Sequence, residues 1–465
     1  MSPAMFYARL PGWCQDAVCS GYGGLLRLRR YSRSYQALER EVFSREFWDE
    51  QLLHHLVRAR LQAIVGHAVS TAPYYRRLFD QLNLDPTDIR DPADMRALPI
   101  LTKATVQENL REFHSETASR MRCTVVHTSG TTGAGLVFPM TMLAEREQWA
   151  VWWRYRARFG VDRSTWYAHF YGKLVVPRAQ SRPPFWRVNL AGRQILFSAY
   201  HMCPRNLGFY VDELNRCRPP WIQGYPSLLV LLASFMHETG VRLAYRPDIV
   251  TTGAETLLPH QKHIIETAFG ASCRQHYGLT EGVANISECP EGCLHVDEDY
   301  ALVEFLPIGA DRYRIIGTSF SNYAFPLLRY DTGDIAELSP RSVSCNCGRS
   351  GRVARSIDGR IEDYIVLPDG TKIGRLDHLF KDMINIKEAQ ILQDDPASVV
   401  FRIVRNSGYT ERDEQRLLRD IRQRLGAQIK IRLSYVDAVE RTDTQKLRFV
   451  ISNLPEARLH PCKQR

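Results

Sequence analysis

His127-Thr128-Ser129-Gly130-Thr131-Thr132-Gly133-Ala134-Gly135 sets three glycines and four hydroxyl residues directly behind the β-branched run Thr124-Val125-Val126. Glycines let backbone N–H groups come close to phosphate oxygens, and Ser and Thr hydroxyls add donors to the same oxygens. The pattern is that of a phosphate loop entered from a strand. It is not a Walker loop, because Leu136 and Val137 follow Gly135 where Lys and Ser or Thr would be required. As an isolated string it also reads as a Gly/Thr turn.

The surroundings supply the context of an α/β fold. Short β-rich runs, Thr124-Val125-Val126, Ile249-Val250-Thr251 and Tyr313-Arg314-Ile315-Ile316, alternate with helical patterns over 206–217 and 227–238. Such alternation predicts layered sheets and helices. Upstream, apolar residues at Trp48, Leu52, Leu56, Leu61, Ile64 and Val65 recur mostly at three and four, so a helical lead-in is expected until Pro73 interrupts it. Downstream, an amphipathic stretch over 411–425 lies between strand-like runs 397–404 and 429–436, the outline of a small α+β domain joined through a hinge near 358–362.

Composition bounds the function. The 465 residues are 44% hydrophobic and 24% charged, enough for a packed core in two or three domains. No apolar run approaches the roughly 20 residues of a membrane span, and the first thirty residues lack the layout of a signal peptide, so a cytoplasmic protein is expected. The net charge of +10 comes from scattered arginines with no aromatic interleaving, which argues against nucleic acid and for an anionic small ligand at most. Eleven cysteines, an odd number, argue against a disulfide framework.

Five further strings follow in order: Thr252-Gly253-Ala254-Glu255, Tyr277-Gly278-Leu279-Thr280-Glu281, Tyr330-Asp331-Thr332-Gly333-Asp334, Gly359-Arg360-Ile361-Glu362-Asp363 and Thr442-Asp443-Thr444-Gln445-Lys446. Singly, each is a turn beside a charge. Together, from about Ser129 to Lys446, they resemble the adenylate-forming superfamily of acyl- and aryl-CoA synthetases, luciferases and adenylation domains. Pro73-Tyr74-Tyr75-Arg76-Arg77-Leu78-Phe79, Leu98-Pro99-Ile100-Leu101-Thr102-Lys103 and Gln223-Gly224-Tyr225-Pro226-Ser227 narrow the likeness to the phenylacetate-CoA ligase group. Asp377-His378-Leu379-Phe380-Lys381 and the ending 446–451 favour its CapK-like branch, which is found with polysaccharide biosynthesis.

The resemblance implies a large N-terminal adenylation domain, 1–358, with a lead-in over 1–120 and an ATP-binding core over 121–358, followed by a small mobile domain, 359–465. It implies ATP-dependent activation of a carboxylic acid and transfer of the acyl group to a thiol, CoA or a carrier. An amide-forming ligase acting on an amine is the alternative, and an inactive scaffold of the same fold a third reading. ATP carries about four negative charges, so donors, Mg2+ and a cation are needed where charge builds on the α-phosphate.

By the resemblance, Ser129, Gly130, Thr131, Thr132 and Gly133 would hold the β- and γ-phosphates, Glu281 would ligate Mg2+ and Thr280 would donate to the α-phosphate. Asp334 and Arg360 would bind the ribose, while Gly253, Ala254, Glu255, Tyr277 and the adjoining Gly278 would frame the adenine. Lys446 would bridge carboxylate and α-phosphate, and Glu362 would be the pivot between two half-reactions. The chain departs from the family at Gln445, where glycine is usual, and over 364–370. Trp221, Gln223, Tyr225 and His276 are candidates for an acid pocket or for core packing.

Cys289-Pro290-Glu291-Gly292-Cys293-Leu294-His295 and Ser344-Cys345-Asn346-Cys347 supply thiols and an imidazole in two clusters, the donor chemistry of tetrahedral zinc. Buried small hydrophobes are the other reading of the cysteines. Phenylacetate-CoA-ligase-like proteins have a similar arrangement, and the resemblance selects Cys289, His295, Cys345 and Cys347 as ligands of a structural zinc, with Cys293 as a spare.

Overall fold

The computed structural model describes residues 3–128, 136–177, 179–309, 311–339, 345–360, 364–368, 372–374, 376–380, 385–405, 407–426, 428–441 and 447–454. The chain divides into two compact units, each assembled from separated segments: 1–24, 164–274 and 359–465 in one, 25–163 and 275–358 in the other.

In the first unit the strands Tyr167–Tyr171, Gln194–Ser198, Trp221–Gly224 and Ile249–Gly253 run parallel, and Trp186–Asn189 is an antiparallel edge. Helices Pro204–Cys217, Pro226–Thr239 and Pro259–Phe269 alternate with these strands, each opening on a proline whose missing N–H costs nothing in a first turn. Their apolar faces and the strands bury one core that includes Phe170, Phe197, Tyr210, Leu229 and Ile265.

The C-terminal segment of this unit is a four-stranded sheet in the order Lys430–Tyr435, Ser398–Arg405, Ile386–Asp395, Val450–Ser452. Alternation turns Val399, Phe401 and Ile403 inward against Leu417, Ile421 and Leu425 of the helix Glu411–Leu425. Thr410 and Asp413 cap that helix reciprocally, and three acidic residues in its first turn complement its dipole. The run 364–370, which reads from sequence as a loop, instead begins with the strand Tyr364–Val366, which pairs with Lys372–Gly374; the β-branched Ile365 and Val366, both buried, suit a strand. The hinge residues 358–360 continue the strand Val353–Arg360.

In the second unit, Pro73 ends one helix and starts another. Glu50–Thr71, capped by Asp49 onto the Leu52 N–H at 2.8 Å, gives way to Pro73–Leu82 with the proline at its first position. These helices pack Leu61, Ile64, Tyr75 and Phe79 against Phe138, Phe320, Phe325 and Leu328. The unit's strands lie in the order Cys273–Gly278, Asn285–Glu288, Leu294–Val296, Val353–Arg360, Tyr330–Leu338, Arg312–Ser319, Ala301–Gly309. A separate hairpin pairs Cys123–His127 with Val137–Thr141. Among the described residues no helix is long and apolar enough to cross a membrane.

Candidate active site

Two of the motif strings meet in the second unit. Tyr277, at the end of the strand Cys273–Gly278, donates its hydroxyl to Asp334 Oδ2 at 2.7 Å. Burial, and then the Asp334 charge, push the Tyr277 hydroxyl well above its ordinary range, so it stays a protonated donor. Asp334 is 8% exposed, and its N–H is held by Thr332 Oγ1 at 3.1 Å. Beyond Gly278 the chain turns tightly: Gly282 has φ +68° and donates its N–H to the Leu279 carbonyl at 3.1 Å. That turn leaves Thr280 exposed and Glu281 buried beside Gly282.

Gly278 is required by what lies behind it. A Cβ there would stand 2.9 Å from His276 Cε1 and 3.0 Å from Asn285 Oδ1. His276 Nε2 bonds Asn285 Oδ1 at 2.8 Å, and the Trp152 indole N–H donates to the same oxygen at 3.1 Å. Burial, followed by Arg156, lowers the His276 pKa to about 4, so the ring is neutral with its proton on Nε2.

Asn285 Nδ2 in turn donates to Asp297 Oδ2 at 2.7 Å. Asp297, 1% exposed, also accepts from Ser287 at 2.8 Å, Arg154 at 3.0 Å and Arg349 at 2.7 Å. Burial alone would raise its pKa, but Arg349, Arg154 and Arg158 hold it far below the carboxylate range. Sequence reasoning names His276 and misses Asn285, Asp297, Arg154 and Arg349. No local string marks them, since the partners come from distant segments.

The four metal-ligand candidates come together in the same unit. One donor atom from each of Cys289, His295, Cys345 and Cys347 lies within 4.8 Å of every other. Cys289 Sγ is 3.6 Å from Cys345 Sγ, and Cys347 Sγ is 3.3 Å from His295 Nε2. Zinc bonds of about 2.0–2.3 Å imply tetrahedron edges of roughly 3.5–3.8 Å, so the donor set fits that ion. Burial, then Arg349, keeps His295 neutral with a pKa lowered to about 4, the form in which imidazole ligates. Cys293 is not in this group.

The first unit holds the Thr252–Glu255 string. Gly253 ends its strand, Ala254 takes φ +67°, an uncommon angle for a residue with a Cβ, and Glu255 follows. Glu255 accepts N–H bonds from Ser227 at 3.1 Å and Leu447 at 2.9 Å. Of the pocket candidates here, Trp221 is fully buried, stacks on Tyr167 at 4.0 Å and donates to Thr251 Oγ1 at 2.8 Å, so it belongs to the core. Tyr225 packs edge-on against Tyr171. Arg360 closes the strand Val353–Arg360.

Ser129, Gly130, Thr131, Thr132, Gly133, Glu362, Gln445 and Lys446 lie outside the described residues. The base of the phosphate-loop string is described: Thr128 and Leu136 exchange bonds, Thr128 N–H to the Leu136 carbonyl at 2.9 Å and Leu136 N–H to Thr128 Oγ1 at 2.8 Å.

Comparison with known proteins agrees with this architecture. Residues 365–453 match the CapK C-terminal domain. Over 455 residues the chain is 25% identical to Protein CapK of Staphylococcus aureus, covering 96% of this chain and 99% of that protein. It is 26% identical over 340 residues to phenylacetate-coenzyme A ligase of Aromatoleum evansii, covering 68% and 72%. Its fold matches 2-hydroxyisobutyryl-CoA ligase in the postadenylation state with R3-HIB-AMP, at a TM-score of 0.67 and 17% identity over 88% of this chain and 91% of that one. The fold is that of adenylate-forming CoA ligases. In sequence it is similar to phenylacetate-CoA ligase over about two thirds of its length and to CapK over nearly all of it.

Proposed function

We propose that this protein activates a carboxylic acid with ATP and passes the acyl group to a thiol. In the first step a carboxylate oxygen attacks the α-phosphorus, the bond to the bridging oxygen breaks and pyrophosphate leaves. In the second the acceptor sulfur attacks the acyl carbon, the bond from that carbon to the phosphate oxygen of AMP breaks and AMP leaves, with the thiol proton passing to solvent. The observation that carries this reading is the Tyr277–Asp334 hydrogen bond, which joins two of the strings on which an adenylate site depends.

In this reading Ser129, Gly130, Thr131, Thr132 and Gly133 donate to the β- and γ-phosphates, and Thr280 donates to the α-phosphate. Asp334 and Arg360 bind the ribose; Gly253, Ala254, Glu255, Tyr277 and Gly278 border the base. Lys446 places its point charge between carboxylate and phosphate. Glu281 would hold Mg2+, which supplies charge neutralisation on the phosphates. Cys289, His295, Cys345 and Cys347 would hold zinc, closed and structural because four protein ligands leave no open position. Residues 1–358 form the adenylation domain and 359–465 the smaller domain.

An amine acceptor is the second reading. Pyrophosphate exchange across a panel of acids tests the activation step, and an acid-dependent signal is expected. The absence of exchange with every aliphatic and aryl acid in the panel would refute it. Acceptor choice is then read by supplying CoA or amines to the preformed adenylate.

A further inference from the structure

The helix Gly12–Arg30 is held to the protein by polar and small residues. Asp16 Oδ1 accepts the Val188 N–H at 2.8 Å, while Ser20 Oγ donates to the Val188 carbonyl at 3.3 Å and accepts the Leu190 N–H at 3.0 Å. Gln15, buried, accepts from Arg187 Nε at 2.6 Å. Gly23 passes so close to the strand Trp186–Asn189 that a Cβ there would stand 2.1 Å from Asn189 Oδ1. A surface helix ordinarily buries its apolar stripe and shows its polar one to water. Here the reverse holds.

Trp13, Ala17, Gly21, Leu25 and Leu28 follow one another at helical spacing, so they form one row down the other side, with Val18 and Tyr22 beside it. All of them are exposed. The helix itself fixes this row. Trp13, Tyr22, Leu25 and Leu28 are between 61% and 78% exposed, so they stand out as a ridge and are not the walls of a groove. The charge around the ridge has one sign. Asp16 is the one acidic residue before Glu39, and it is bonded to the strand behind the helix. Arg29 and Arg30 pair with Glu145, whereas Arg9, Arg27 and Arg33 are exposed.

We propose that this face seats the protein on a membrane surface that carries anionic lipid headgroups, with the helix lying in the plane of the interface. Charge complementarity names the occupant: exposed arginines with no exposed acid among them meet phosphate and carboxylate headgroups, in a chain whose net charge is +10. Trp and Tyr settle at headgroup level while the leucines reach the acyl boundary, the division of labour of an interfacial helix. A ridge of protruding side chains enters lipid directly, where a protein partner would have to supply a pocket for each anchor. Among the described residues no helix is long and apolar enough to cross a membrane, so the contact is with the surface. The proposal goes beyond the function given above and does not depend on it.

Flotation of the full chain with vesicles tests this, using phosphatidylcholine alone and phosphatidylcholine with about 30% phosphatidylglycerol, at about 0.15 M salt. The protein is expected to float with the anionic vesicles. Arg9→Gln and Arg27→Gln should each weaken that binding about fivefold, the worth of one arginine near a charged surface. Trp13→Ser combined with Leu28→Ser should weaken it by about tenfold or more, because apolar area no longer enters the interface. Both side chains are exposed, so an unchanged melting temperature is expected; Tyr22→Ser with Leu25→Ser gives the same reading if the first pair folds poorly. Absence of flotation with anionic vesicles would overturn the proposal, as would equal flotation with both vesicle types. Binding that survives both serine pairs and falls only with the arginine variants would also overturn it, by showing diffuse charge attraction without insertion. A concentration-dependent dimer in sedimentation, lost in the Trp13→Ser and Leu28→Ser variant and unaccompanied by flotation, would assign the face to a second copy of this chain instead.

Discussion

Replacing Asp297 by Asn should destabilise the second unit by about 3 kcal/mol. Asp297 takes four hydrogen bonds, from Arg154, Arg349, Ser287 and Asn285, at 1% exposure. Arg154 would be left well paired, because it keeps Asp299 in a two-bond arrangement at 2.9 and 2.8 Å. Arg349 would not. Its side chain is 6% exposed, and its remaining carboxylate is Glu46 at 3.8 Å. Breaking a buried pair by removing one partner costs roughly 3–5 kcal/mol, and the distant Glu46 offsets a little, which leaves the lower end. Asparagine also turns an N–H₂ toward donors. In a unit of this size the change corresponds to a melting shift of about 6–12 °C. Chemical unfolding gives the free energy and differential scanning fluorimetry the shift. Adding Arg349→Met to the Asp297→Asn variant removes the orphaned charge and should recover part of the loss. A loss below about 1 kcal/mol, or a double mutant no better than the single, would mean that these charges are solvated and the network sets geometry without contributing stability.

The purified protein is expected to carry about one zinc per chain by elemental analysis, with Cys345→Ser or Cys347→Ser lowering the melting temperature more than the rate of adenylation; metal-free protein prepared without chelator would remove the site. Lys446→Ala should abolish pyrophosphate exchange, by about a hundredfold or more, while ATP still binds, since its charge acts when the carboxylate attacks; exchange at the parent rate would show that another cation does this work. Glu362→Pro fixes φ near about −65° and should spare adenylation while stopping acyl transfer, a difference seen by comparing single-turnover pyrophosphate release with final product; equal losses would make Glu362 a linker and no pivot.

The legible parts of the chain are those where chemistry and local structure coincide in a short string. Periodicity finds the helices Pro204–Cys217, Pro226–Thr239 and Glu411–Leu425 because each must hide an apolar face, and β-branched runs find the strands at 249, 312 and 398. The cysteine and histidine clusters stand out because ligand chemistry restricts residue type so tightly. Pro73 reads as a stop when it is also a start, since the same missing N–H that ends one helix suits the first turn of the next. Residues 364–366 read as a loop because the strand is three residues long, too short for a period to register.

What no string announces is how the pieces are held. Asp297 lies between the Cys289–His295–Cys345–Cys347 cluster and the Tyr277–Gly278 turn: Arg349, two residues past Cys347, reaches one of its oxygens, and Asn285, which fixes His276, reaches the other. The same carboxylate therefore ties the stretch bearing Cys345 and Cys347 to the floor beneath Gly278, where a single Cβ would collide with His276. Every bond in this chain of contacts joins residues that are not neighbours in sequence, so its energy depends on the finished fold and leaves no periodic trace. A site for a charged nucleotide gains from such a floor. Its donors must already point where phosphate charge will appear, and a buried, fully paired carboxylate with several arginines around it resists the reorientation that a softer floor would allow.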